Sequence, residues 1–161
     1  MTTRATVPGT INAGDTVAET DINNGPGGWS AYVAVTSGGS GLGTSVADLS
    51  GLTTGAYTYP ANRRYKITGH IPVIVQNTSN GFVKIQIRDG SNNVVGQICD
   101  TTVYAGERLF VEGTTIITPS AGSATYKLSG FTSASTFDWS AGSTPGDPGP
   151  AFILVEDIGP A

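Results

Sequence analysis

The chain has 161 residues, enough for one domain with its own core, and only 12% of them are charged. Its 23 glycines and single Met, with Ser, Thr and Asn filling the polar positions, exclude a helical bundle, which would draw on Leu, Ala, Glu and Lys. A net charge of −4 with no basic cluster larger than Arg63-Arg64 excludes general affinity for nucleic-acid phosphate, and the lone Cys99 excludes an internal disulfide framework.

Residues 1–28 show little periodicity. Val7, Ile11, Val17 and Ile22 are spaced too widely to build a core, and residues 23–28 (NNGPGG) read as a linker. The segment is expected to be either a loose tail or an extended N-terminal arm that orders along a neighbour, with those four apolar residues as its contacts. The polar start carries no secretory signal pattern, so synthesis in a host cytoplasm without a signal peptide is expected. No run approaches the ~20 apolar residues of a membrane-spanning helix, so no membrane insertion is expected.

The body, residues 29–161, reads as strands. Residues 29–36 alternate Trp29, Ala31, Val33 and Val35 against Ser30, Tyr32, Ala34 and Thr36. Residues 37–43 are Gly/Ser-rich and read as a flexible loop, without the lysine of a phosphate-binding loop. Residues 45–52 suit a short strand or turn, and 56–60 a connector. The strongest signal is residues 64–76, where Tyr65, Ile67, Gly69, Ile71, Val73 and Val75 share one face and His70, Pro72 and Ile74 the other. Residues 82–88 alternate again with Val83, Ile85 and Ile87 inward. Pairing Gln76 with Phe82 joins the two apolar faces, so a hairpin is expected here.

An Asp89-Gly90 turn leads into a strand over 94–104, bulged near Gly96. The next strand, 108–118, puts Leu109, Val111, Gly113, Thr115 and Ile117 on one face. Strands over 124–131, with Tyr126 and Leu128 inward, and 136–139 follow. Residues 143–150 carry three prolines and form a loop. The last strand, 151–158, is apolar on both faces as far as Glu156, which places it mid-sheet or at a subunit contact. About eight strands without a helix predict an all-β protein, a β-sandwich of jelly-roll type.

The residues offer little chemistry. His70 is the only histidine, and no nucleophile-elbow pattern accompanies it. Asp89, Asn92 and Asn93 lack calcium-loop spacing and read as turn residues. Adjacent Glu156 and Asp157 point to opposite faces of a strand and cannot cooperate as a glycosidase pair. No catalytic, cofactor-binding or metal-binding residue is assigned, and no enzyme is expected. Trp29, Trp139, Tyr32, Tyr57 and Tyr59 would serve a sugar-stacking platform only if exposed; core positions suit them better. Apolar residues on otherwise polar faces, namely Pro72, Ile74, Phe82 and Phe110 (with Ile116), are candidates for a subunit interface.

Residues 150–161 (PAFILVEDIGPA) resemble the closing strand of small virion proteins of tailed bacteriophages, especially those infecting actinobacteria. Residues 62–70 (NRRYKITGH), the turn 89–92 (DGSN) and the run 122–126 (GSATY) are similar to the same layout, so the resemblance covers residues 56–161. A weaker similarity is to tumour-necrosis-factor-like trimeric jelly rolls. The resemblance implies a structural virion protein without enzyme activity or cofactor. It would be a homotrimer, contacting either the major capsid protein as a capsid decoration or minor capsid protein, or tail proteins as a minor tail or fibre protein. The absence of a coiled-coil or collagen-like shaft favours capsid decoration. Receptor binding to a host surface glycan, or a stand-alone carbohydrate-binding module, are the alternatives.

Overall fold

The computed structural model describes residues 28–142 and 149–161. Val7, Ile11, Val17 and Ile22, with the expected arm up to residue 27, lie outside the described residues, as do residues 143–148. The described strands are β1 (Gly28–Val35), β2 (Gly39–Leu42), β3 (Ala47–Thr53), β4 (Tyr57–Tyr59), β5 (Arg63–Gln76), β6 (Gly81–Asp89), β7 (Val94–Val103), β8 (Arg108–Ile117), β9 (Gly122–Ala124), β10 (Tyr126–Thr132), β11 (Phe137–Ser140) and β12 (Ala151–Pro160). The first sheet runs β1-β12-β5-β8, with β11 and β2 continuing from the far half of β5; the second runs β3-β10-β6-β7. A two-stranded β4-β9 ribbon completes the set, and the pairings are antiparallel.

Counted in chain order, the eight strands β1, β3, β5, β6, β7, β8, β10 and β12 divide into the sheets β1-β12-β5-β8 and β3-β10-β6-β7, with only β6 and β7 joined as neighbours in one sheet, which is the strand order of a jelly roll. The protein is therefore an all-β jelly-roll sandwich, with the four short strands β2, β4, β9 and β11 added to the eight. Three of those four depart from expectation. β2 forms where a flexible loop is expected, because its glycines let the chain lie against Trp139. A Cβ on Gly39 would come 2.6 Å from the indole Nε1, and one on Gly38 would come 2.0 Å from the Trp139 carbonyl oxygen. β4 and β9 are set by pairing with each other, Tyr57 with Ala124 and Tyr59 with Gly122, a long-range match with no local pattern.

The core lies between the sheets. Tyr65, Ile67, Ile71, Ile74, Val111, Ile153 and Val155 of the first sheet meet Leu49, Leu52, Val83, Ile85, Ile87 and Leu128 of the second, all buried. Removing such side chains from water is the main stabilising term. Gly69 and Gly113 are paired at the centre of the first sheet. Together they leave a notch that the second sheet fills. A Cβ on Gly69 would sit 2.7 Å from Leu128 Cδ2 and 2.8 Å from Ile98 Cδ1, and one on Gly113 would sit 2.7 Å from Ile98 Cβ. Ile98 is the extra residue of a bulge in β7, where the register passes from Ile85–Cys99 to Gln86–Gln97; a second shift at Val95 places the expected irregularity on both sides of Gly96.

The expected hairpin between residues 64–76 and 82–88 is absent. β5 belongs to the first sheet and β6 to the second, so their apolar faces meet across the sandwich and not along a shared ladder. The alternation also changes phase inside β5. From Ile71 to Ile74 it advances one residue more than its partner β8 does from Val111 to Leu109. Before this bulge the odd-numbered residues face inward; after it Ile74 and Gln76 do. Ile74 is fully buried and Pro72 is buried, so neither lies on an outer face as expected. Pro72, which has no N–H, falls where β5 exchanges its partner β12, last paired at His70–Phe152, for β11, first paired at Val73–Ser140. The inward Gln76 is satisfied by the Ala134 carbonyl (2.6 Å) and Thr132 Oγ1 (3.1 Å).

Candidate assembly surface

The outer face of the first sheet is built by the even-numbered residues of β1, β12 and β8 and of β5 before its bulge. The registers align Tyr32, Leu154, Thr68 and Thr114 in one row across the strands, and Ala34, Phe152, His70 and Glu112 in the next. Phe110 and Ile116 stand on β8 at 59% and 62% exposure, and Tyr32 on β1 at 45%. Phe152, Leu154 and Ile158 are half-buried on β12. The rings form a connected series. Tyr32 lies 5.9 Å from Phe152; Phe152 stacks on His70 at 4.7 Å with 9° between planes; Phe110 meets His70 edge-on at 5.1 Å. His70 Nδ1 is 2.8 Å from Glu112 Oε2, and Lys66 Nζ is 2.6 Å from Glu156 Oε2. His70 thus lies among aromatic rings with one carboxylate, which is a contact geometry and not a nucleophile–base arrangement.

The outer face of the second sheet differs in kind. Lys127 Nζ and Ser129 Oγ both donate to Asp48, at 2.6 and 2.7 Å. Burial works against the charged form of Asp48, but these donors outweigh it and hold the carboxyl below its ordinary value. Lys84 pairs with Asp100 at 2.9 Å, and Gln97 donates to the same carboxylate. The apolar residues here are Val94, 53% exposed beside Arg88, and Phe82, 36% exposed and set edge-on to Phe131 with Lys84 Nζ 5.7 Å from its ring centroid.

The four described interface candidates therefore do not come together. Phe110 stands on the first face, Phe82 on the second, and Ile74 and Pro72 lie inside. The sequence reading missed Tyr32, Phe152, Leu154 and Ile158 as members of the apolar face. The signal for three of them was available in the two-sided apolar run of 151–158, which the structure places mid-sheet between β1 and β5.

Other candidates resolve as structure. Tyr59 and Trp139 are buried, and Tyr57 packs edge-on against Tyr59 at 4.8 Å, so these aromatics build no exposed platform; the Trp29 side chain lies outside what is described. Tyr59 also contacts Tyr65 and Tyr126, and burial, with nearby Asp89, pushes the Tyr126 phenol up to about 12. Glu156 faces outward to Lys66, whereas Asp157 turns inward to Arg63 (2.6 Å) and accepts from the Gly159 N–H, so the two carboxylates do oppose each other across the strand. Asp89 is used within its own turn, accepting from the Ser91 and Asn93 N–H groups and the Asn93 side chain. A shallow cleft of about 430 Å³ beside it is lined by Ile117, Pro119, Ser120, Gly122 and Tyr126, without a catalytic pairing. Cys99 is half-buried, its Sγ 3.8 Å from the Val83 carbonyl, and burial raises its thiol pKa.

Neither a protein-family model nor a curated protein matches the sequence. Among solved structures the chain is similar to Eiger TNF from S. frugiperda (10% identity, TM-score 0.45, covering 81% of this chain and 93% of that one). It is also similar to the CBM22-1 xylan-binding domain of Paenibacillus barcinonensis Xyn10C (11%, TM-score 0.35, 81% and 87%). A third likeness is to infectious bursal disease virus Gx strain (12%, TM-score 0.37, 96% of this chain but 47% of that one). At these distances the likenesses say nothing about function, and the jelly-roll class stands on the strand order itself.

Proposed function

We propose that this chain is a structural, non-enzymatic virion protein of a tailed bacteriophage, a capsid decoration or minor capsid protein that self-associates, as a trimer, through the outer face of its first sheet. The observation that carries the self-association is the connected apolar series Tyr32, Phe152, Leu154, Phe110 and Ile116 on the outer face of the first sheet, three of whose members stand at 45–62% exposure. The phage assignment rests on the resemblance of residues 56–161. Such a subunit acts by adding buried area at junctions of the shell, without chemistry. Sedimentation equilibrium tests the association: the expected mass is three times the 16.4 kDa chain. Antibody labelling of purified particles is expected to decorate heads. Labelled tails would move the protein to the tail, and a monomer retained on polysaccharide columns would overturn the assembly reading.

A further inference from the structure

We propose that the outer face of the first sheet is covered by residues 1–27 of a neighbouring copy, so that the subunits of the trimer are joined by exchanged N-terminal segments. The inference rests on the self-association reading above and names the segment that fills the face.

Charge and symmetry both disfavour the face as its own partner. On this side β5 brings Arg64 and Lys66, β8 brings Arg108 and Glu112, and β12 brings Glu156. Lys66 and Glu156 neutralise each other at 2.6 Å, which leaves Arg64 and Arg108 against Glu112. Laid on its counterpart, the face would set one positive excess against another. Such a contact is also two-fold and gives pairs, whereas a closed trimer needs each copy to offer one surface and receive a different one. What fits this face is therefore apolar, acidic and drawn from elsewhere in the chain.

Residues 1–27 have that chemistry. They carry Asp15, Glu19 and Asp21 against Arg4 alone, and their apolar side chains Val7, Ile11, Val17 and Ile22, too widely spaced for a core, suit a shallow row of rings. They join the body at Gly28, the first residue of β1, which lies opposite Asp157 at the edge of this same sheet. The chain enters β1 through residues 23–28 (NNGPGG), and Gly28 has a φ of +71°, a left-handed backbone that favours glycine. From Arg108 to Ile117 the face is about 30 Å long at strand rise. An extended segment of 27 residues reaches about 90 Å, enough to leave its own body and run the length of the face on the next. Arg64 and Arg108 stand at opposite ends of that path, with Ile116, Leu154, Phe152 and Phe110 between them.

The test is sedimentation equilibrium of the full chain with charges reversed in pairs. Asp15→Lys with Asp21→Lys is expected to weaken association at least about tenfold, and so is Arg64→Glu with Arg108→Glu. The four changes together are expected to recover most of the loss, because a reversed segment then meets a reversed face. Arg64 and Arg108 are exposed, and thermal melts read whether each variant has stayed folded. Association that is unchanged by reversing Asp15 and Asp21, or that is not recovered in the combined variant, overturns the exchanged segment and leaves self-association standing. Association that strengthens when Asp15 and Asp21 are reversed would mean that the segment covers the face of its own body, which also overturns the exchange. A wild-type chain that stays monomeric at every concentration overturns self-association itself.

Discussion

The two outer faces of the sandwich come from the same alternating pattern and the same fold, yet they differ in how much connected apolar surface they carry. On the second sheet the outward positions mix charged and amide side chains (Asp48, Lys84, Gln86, Arg88, Gln97, Asp100, Lys127) with Ser129, Thr102, Val94 and the ring pair Phe82 and Phe131 beside Lys84. On the first sheet the outward positions of β12 are Phe152, Leu154, Glu156 and Ile158, and β1 and β8 flank them with Tyr32, Phe110 and Ile116. A jelly roll needs only its inner faces to be apolar in order to fold. The apolar outer face of the first sheet is therefore surplus to folding, and the self-association proposed above rests on that surplus.

The comparison can be broken or sharpened by substitution, starting with the largest effect. Ile74→Lys would probe assembly if Ile74 stood outside; because it is fully buried, it is expected to unfold the domain, losing about 4 kcal/mol or more in urea titration. Phe110→Asp with Ile116→Asp is expected to weaken association at least about 100-fold by sedimentation while leaving the melting temperature within a few degrees; Phe82→Asp on the other face should change association less than about threefold. Gly113→Ala is expected to lose about 1–3 kcal/mol of stability, since the added methyl meets the Cβ of Ile98 and not a mobile side-chain end.

The smallest effect concerns the charged face. The Asp48 and Asp89 carboxyls are held below their ordinary values, so they contribute stability above about pH 4 that is lost as pH falls through their folded values. Asp48→Asn is expected to remove part of that acid dependence in thermal melts at pH 7 and pH 3, by less than about 1 kcal/mol because the pair is solvent-screened.

The sandwich class, most strand limits and the inward positions of β6, β8 and β10, of β1 from Ala31 on and of β5 as far as Ile71 could be read from alternation alone. The partner of each strand could not. Two strands with matching apolar faces can lie side by side in one sheet or face each other across a core, and the pattern of β5 and β6 is the same in both cases. Pro72 was the local clue: a residue without an N–H in the middle of the longest alternating run marks a break in the ladder, and the phase change there sends Ile74 inward. The outer apolar face was half legible. Phe110 and Ile116 stood out against a polar β8, but Tyr32 joins them only through the β1–β12 and β12–β5 registers, and registers are long-range facts.

The glycine notch has a mechanical meaning as well. Gly69 and Gly113 directly precede, in each strand's direction, or follow the residues that carry the outer pair, His70 next to Gly69 and Glu112 next to Gly113. Ile98 and Leu128, driven into the notch from the other sheet, act as a bolt that stops the two layers from sliding. A load pressed on the outer row is thus passed straight into the second sheet. In the bridging role proposed above, the body would act as a stiff brick whose outer row keeps its shape under stress.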